Sequence, residues 1–219
     1  MENSRILIYD GSFNGYLTAI NIAFRERLNV VGFQKNDSPQ KGLFANTRTI
    51  TTQVELAKQV WTLFERKGNS VIRNIYFAFL SETVHIDFLL YTYMSGLFSS
   101  FSDQELELTK GLEQKVMHLA KSVSREKREL ETLVDFHSNN GRIFNAEVSP
   151  TYNILPLISR HFRCKYPKHP WIIFDNKRNY GLYYNLTSVE LIDQATKNWY
   201  LDSNTMVANY AQGDFKYAV

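Results

Sequence analysis

A single cysteine, Cys164, stands among 219 residues, and that scarcity closes several routes at once. No disulfide can form within the chain. Neither a four-cysteine zinc site nor an iron–sulfur cluster held only by cysteines can be built from it. Charge of one sign is also scarce: 25 Lys and Arg face 22 Asp and Glu, for a net charge of +3. Such a balance permits contact with a polyanion without demanding it. Long apolar runs are missing too. The longest, from Ile86 to Phe101, is broken by Asp87, Thr92, Ser95 and Gly96, short of the roughly 18 uninterrupted residues of a membrane span. At the start, Ile6 to Tyr9 meets Asp10 at once, unlike the apolar stretch of a secretion signal. The expectation is a soluble, cytoplasmic protein that stays off the membrane.

The standard catalytic signatures are absent as well. There is no Gly-rich phosphate loop, no His-Glu-x-x-His and no Gly-x-Ser-x-Gly elbow. The five histidines, His85, His118, His137, His161 and His169, fall without metal-ligand spacing. Neither a metal nor a cofactor is expected. Cys164 reads as a small hydrophobe on the inner face of a helix.

What is present is a substantial apolar fraction, 44%, with 14% aromatic residues, enough to bury a sizeable core. Ile6 to Tyr9 reads as a strand that ends in the turn Asp10-Gly11-Ser12. Ser12 is placed to cap a helix whose Phe13, Tyr16, Leu17, Ile20 and Phe24 recur at helical spacing. Residues 32–48 read as a loop with one short strand near Leu43-Phe44. A second helix opens at Thr51 or Thr52 and stops at Gly68. Two very apolar segments follow, the second from Val84 to Phe98. A long helical pattern then starts at Ser102-Asp103 and runs to Phe136, with a break marked near Ser122 to Ser124.

Past Asn139-Asn140-Gly141, a strong turn signal, the period changes. Arg142 to Val148 reads as a strand and Ile154 to Phe162 as a short helix. Trp171 to Phe174 and Tyr180 to Tyr184 read as an antiparallel hairpin. The tail after about residue 187 holds one modest helical segment and polar residues, and is expected to be less ordered. The predicted class is α+β: a mainly helical middle, with a small antiparallel sheet built from the N-terminal and C-terminal strands, in one domain over residues 1–219.

Three segments carry the candidate chemistry. Asp10 and Ser12 put a carboxylate and a hydroxyl at a strand-to-helix junction, where helix amides can meet an anion. The alternative there is a plain turn with an N-cap. The Pro-flanked corner from Ser149 to Leu157 contains Tyr152. The stretch from Arg160 to Tyr184 holds Arg160, Arg163, Lys165, Lys168, Lys177 and Arg178 against Asp175 alone. Its cations suit phosphates and its rings suit unpaired bases. The candidate nucleic-acid contacts are Arg160, Arg163, Lys165, Lys177 and Arg178, with Tyr180 or Tyr183 for stacking. The alternative is that the rings face the core and the cations form an ordinary solvated rim.

These same segments carry a family likeness. Tyr9 to Ala19, the helix from Val123 to Phe136, Asn153 to Leu157 with His161-Phe162, Trp171 to Asp175, and Arg178 to Gly181 agree in order and spacing. Together they resemble a bacterial family assigned to DNA metabolism or repair and carried as a domain of unknown function. The likeness extends over nearly the whole chain to about residue 185. It implies association with a radical-SAM protein of DNA modification or repair, and kinship with domains fused to uracil-DNA glycosylases. With one cysteine, this chain lacks the three-cysteine cluster of radical-SAM chemistry, so such a cluster would sit on the partner.

The chain departs from the family pattern at Arg128-Glu129, where a His-Arg pair is usual, and at Asp135, where an Arg is usual. It departs again at Thr151-Tyr152, where Asp-His is usual. A family site at those positions would be altered in this chain. The function expected is a DNA repair or modification accessory protein that binds DNA and acts with a radical-SAM partner. Two alternatives accompany it: an enzyme on nucleobases or nucleotides around Asp10, Ser12 and Tyr152, and a protein-binding adaptor without catalysis.

Overall fold

The computed structural model describes residues 4–36, 46–98, 103–139 and 143–202. Contacts group the chain into two compact units, Met1–Val123 and Ser124–Val219.

The first unit begins with β1 (Ser4–Tyr9), α1 (Phe13–Arg25) and β2 (Asn29–Lys35). Ser12 caps α1, its hydroxyl accepting the Gly15 N–H at 2.9 Å, and the helix buries Tyr16, Leu17 and Ile20. Because α1 carries the chain back over the sheet, β2 runs parallel to β1. β3 (Asn46–Thr49) pairs with the other edge of β1, also in parallel. β1 therefore has both neighbours within its own unit, in the order β2-β1-β3. Helices α2 (Val54–Glu65), α3 (Asn69–Phe79) and α4 (Ile86–Gly96) complete this unit, together with the first part of α5 (Asp103–Leu133). Phe13 packs against Trp61, Tyr76 and Phe79, and Tyr16 against Phe33 and Phe79. The Tyr16 hydroxyl donates to the Asp87 backbone carbonyl at 2.7 Å.

The second unit contains the end of α5, then β4 (His137–Asn139), β5 (Ile143–Val148), α6 (Leu155–Lys165), β6 (Trp171–Asp175), β7 (Tyr180–Tyr184), β8 (Val189–Asp193) and α7 (Gln194–Asp202). Its sheet runs β4-β5-β6-β7-β8. β5 and β6 are parallel, joined by α6 as the crossover, and the other pairs are antiparallel. β6 is buried along its whole length. Its Trp171 and Ile173 meet Leu155, Ile158 and Phe162 of α6. Ile172 and Phe174 point to the opposite face, toward Tyr183, Ile192 and Tyr200. Gly181 sits against β6 so closely that a Cβ there would lie 2.7 Å from the Phe174 ring and 2.9 Å from the Ile173 carbonyl.

The class is α+β, but the expected single antiparallel sheet uniting both chain ends is corrected. Among the described residues there are two sheets, one parallel and one mixed, and each contains a strand–helix–strand crossover. The N-terminal strand cannot serve the C-terminal sheet because both of its edges are already paired. β2 occupies part of the segment expected as a loop, and the expected strand at Leu43-Phe44 lies outside the described residues. α5 runs without a break through Ser122–Ser124. In the tail, α7 is the expected helical segment and β8 precedes it, while residues 203–219 lie outside the described set. Among the described residues no helix is long and apolar enough to cross a membrane.

Candidate nucleic-acid interface

The corner after β5 is held from two sides. From α5, the Glu126 carboxylate accepts the backbone N–H groups of Thr151 at 2.6 Å and Tyr152 at 2.8 Å. From the β6–β7 turn, Arg178 donates to the Pro150 carbonyl at 3.2 Å and to the Thr151 carbonyl at 3.0 Å. Lys177 donates to the same Thr151 carbonyl at 2.9 Å. The Tyr180 hydroxyl donates to the Asn153 side-chain oxygen. Pro150, Thr151 and Tyr152 thus have backbone groups, and Asn153 a side-chain oxygen, paired with side chains from distant positions.

Asp175 organises the hairpin side of this clamp. One carboxylate oxygen accepts the N–H groups of Lys177 at 2.9 Å and Arg178 at 3.2 Å, and the other accepts the Arg178 guanidinium at 2.8 Å. The Asp175 side chain is fully buried and that of Arg178 is 11% exposed. This is a desolvated, hydrogen-bonded ion pair, the kind that is costly to break by removing one partner. Of the two read from the sequence as phosphate contacts, Arg178 is therefore committed to carbonyls and a carboxylate of the chain itself, while Lys177 is exposed and gives one N–H to the Thr151 carbonyl. The stacking candidates are likewise committed. Tyr183 is buried at 6% exposure and its ring lies 4.1 Å from that of Tyr200; burial raises its hydroxyl pKa to about 12. Tyr180 packs beside the α6 core cluster. These rings belong to the packing of the sheet.

Helix α6 presents the opposite case. Its core stripe, Leu155, Ile158 and Phe162, recurs at helical spacing and faces the sheet, so Arg160, Arg163 and Lys165 must turn outward. All three are exposed. Arg163 and Lys165 lie in the last turn, where cations complement the negative end of the helix dipole. Lys165 lies 5.5 Å from the centroid of Tyr166. Among the described residues none of these three side chains forms an ion pair. Cys164 is exposed and free, which corrects the expectation of an inward-facing thiol. It lies two residues from Phe162, and hence on the outer side of the helix.

Between α5 and α6 lies an open groove of about 610 Å³ lined by Lys127, Glu131, Leu157, Arg160, His161, Cys164 and Lys165. Lys127 donates to Glu131 at 2.5 Å, one helical turn apart as an i, i+4 pair requires. His161 Nδ1 lies 3.8 Å from the same carboxylate oxygen, and its Nε2 is buried without a hydrogen-bond partner. Sequence reading missed Glu126, Lys127 and Glu131. The one available signal was their spacing along a polar helix face, which by itself reads as solvated charge.

Asp10 and Ser12 lie in the first unit and Tyr152, half-buried, in the second. Asp10 accepts the Ser12 N–H at 2.9 Å, the Ser12 hydroxyl at 2.7 Å and the Thr52 hydroxyl at 2.7 Å. Burial pushes the Asp10 carboxyl upward, but these hydrogen bonds outweigh it and hold it below the usual carboxylate range. The turn is so tight that a Cβ on Gly15 would sit 2.1 Å from an Asp10 oxygen and 2.8 Å from the Thr52 hydroxyl. The pair does what a turn and an N-cap do. Of the positions that depart from the family pattern, Glu129 pairs with Arg125 at 3.7 Å, and Arg128 and Asp135 are exposed.

A family profile described as a domain of unknown function (DUF4130) matches residues 85–210. No curated protein matches the chain.

Proposed function

We propose that this chain, which belongs to the DUF4130 family, is an accessory protein of DNA repair or modification that binds nucleic acid through the exposed cations of α6 and acts with a radical-SAM partner. The observation that carries the DNA-binding part is the contrast within one basic segment. Arg178 and Lys177 are tied to the chain's own polar groups, whereas Arg160, Arg163 and Lys165 stand outward on a single helix without an ion pair among the described residues. Exposed, unpaired guanidinium groups neutralise phosphates and release the counterions that surround them. The partner part rests on the sequence resemblance and on the cysteine count. One cysteine leaves a radical-SAM cluster to another chain.

The test is a titration of the full chain with labelled single- and double-stranded DNA across a series of salt concentrations. Three phosphate contacts would give a slope of log affinity against log salt of roughly −2 to −3. Absence of binding at low salt would remove the DNA reading. Size-exclusion chromatography with a radical-SAM protein from the same genomic neighbourhood tests the partner, and two separate peaks at micromolar concentration would count against it.

A further inference from the structure

We propose that the α5–α6 groove is a phosphate-binding cleft that recognises the terminal phosphate of a nucleic-acid strand, resting on the DNA-binding reading and specifying which part of the polymer this face grips. The charge count points to a terminal rather than an internal phosphate. Lys127, Arg160 and Lys165 line the groove against Glu131 alone, leaving a surplus of two positive charges. An internal phosphodiester carries one negative charge, whereas a terminal monoester carries between one and a half and two near neutral pH, with a second pKa of about 6. The groove thus matches a dianion better than a backbone phosphate.

The geometry agrees. Glu131 is held by Lys127 at 2.5 Å, and the two side chains are 13% and 24% exposed. The carboxylate is therefore neutralised at the side of the groove, while Arg160 offers its full guanidinium fork to an incoming anion. Leu157 supplies an apolar patch for the terminal sugar or base. His161 adds a polar edge through its Nδ1, which lies 3.8 Å from the Glu131 carboxylate. A volume of about 610 Å³ lies within the range of small-ligand sites, roughly 300–1,000 Å³, and accommodates one terminal nucleotide.

The deciding experiment compares the full chain's affinity for one single-stranded oligonucleotide with and without a terminal phosphate, at constant salt, with a nucleoside monophosphate as competitor. The phosphorylated strand should bind about tenfold more tightly, as one added charge-assisted contact allows. That preference should vanish in Arg160→Ala and shrink in Lys127→Ala, both checked for unchanged thermal unfolding. Equal binding of the two strands overturns the cleft while leaving DNA binding by α6 intact. A preference that survives Arg160→Ala places the end-binding site elsewhere and also overturns the assignment. A nucleoside monophosphate that binds as tightly as the strand assigns the groove to free nucleotides instead. Failure to bind either strand removes both this inference and the reading beneath it.

Discussion

The β6–β7 turn and helix α6 lie within about twenty residues of each other and carry the same kinds of cation, yet their cations do opposite work. At the turn, Arg178 and Lys177 close on the carbonyls of Pro150 and Thr151 and on the buried carboxylate of Asp175. On α6, Arg160 and Arg163 face solvent without a partner among the described residues. The lesson is that a charge count over a segment adds together groups the fold keeps apart. A cation whose protons are already taken stabilises the protein. One whose protons are free is available to a ligand.

The sharpest way to break this comparison is to remove Arg178. Arg178→Ala leaves the Asp175 carboxylate buried without its ion partner and the Pro150 carbonyl without its side-chain donor, while the Thr151 carbonyl keeps Lys177. The expected loss is about 3–5 kcal/mol of stability, read by chemical denaturation of the full chain. A loss as small as that of an exposed arginine would erase the distinction drawn here. Glu126→Gln tests the α5 side of the same corner. It replaces a charged acceptor by a neutral one at two backbone N–H groups, and a loss of about 1–2 kcal/mol is expected by the same measurement.

The converse is tested on α6. Reversing Arg160 and Arg163 to Glu should change stability by no more than about 0.5 kcal/mol while lowering DNA affinity roughly tenfold per side chain and flattening the salt slope by about two. Folding that suffers while binding does not would invert the comparison.

The same contrast between a satisfied and an unsatisfied charge recurs among acids of the first unit, with a smaller effect. Asp10 is surrounded by donors and its carboxyl sits below the usual range. Asp87 is pushed above it by burial, which the Tyr9 hydroxyl, Lys35 and His85 counter only in part. The signs follow from linkage. Asp10 contributes stability that is present above the ordinary carboxylate pKa and lost as pH falls through its lowered value. Asp87 keeps its proton in the folded chain to higher pH than in the unfolded chain, so its contribution is lost as pH rises through its raised value. Asp87→Asn should therefore flatten the decline as pH rises above the ordinary carboxylate range, and Asp10→Asn the decline as pH falls below it. Denaturation midpoints measured across pH would show whether the two acids behave as a mirrored pair.

Several elements were legible before any coordinates. Ser12 with Tyr16, Leu17 and Ile20 marks a capped amphipathic helix, because a hydroxyl at the N-cap and apolar residues at helical spacing both act within a few residues. The hairpin of β6 and β7 was legible for the same reason. β2 was hidden because Gly32, Gln34 and Lys35 break its apolar pattern, and its pairing is decided by a partner more than twenty residues away. β8 was hidden by polar composition, since Ile192 is its one buried anchor, whereas the helical segment that becomes α7 was legible in the tail. In the candidate site, the outward turn of Arg160 follows from helical spacing. The inward commitment of Arg178 does not follow from any local pattern, because its acceptors lie at Pro150 and Thr151.

By itself, the sequence determined the capped helix α1, the helix that stops before Gly68 and the β6–β7 hairpin, and that no cysteine-only cluster or internal disulfide could form in this chain. Those outcomes depend on neighbours along the chain and on simple counting. Only the tertiary structure decided that the described strands form two sheets rather than one, that Asp175 is buried beneath Arg178, and that α5 and α6 flank an open groove with surplus positive charge. Sheet partners, burial and the pairing of charges are set by contacts between residues far apart in the chain, and their energies depend on how much water those contacts remove.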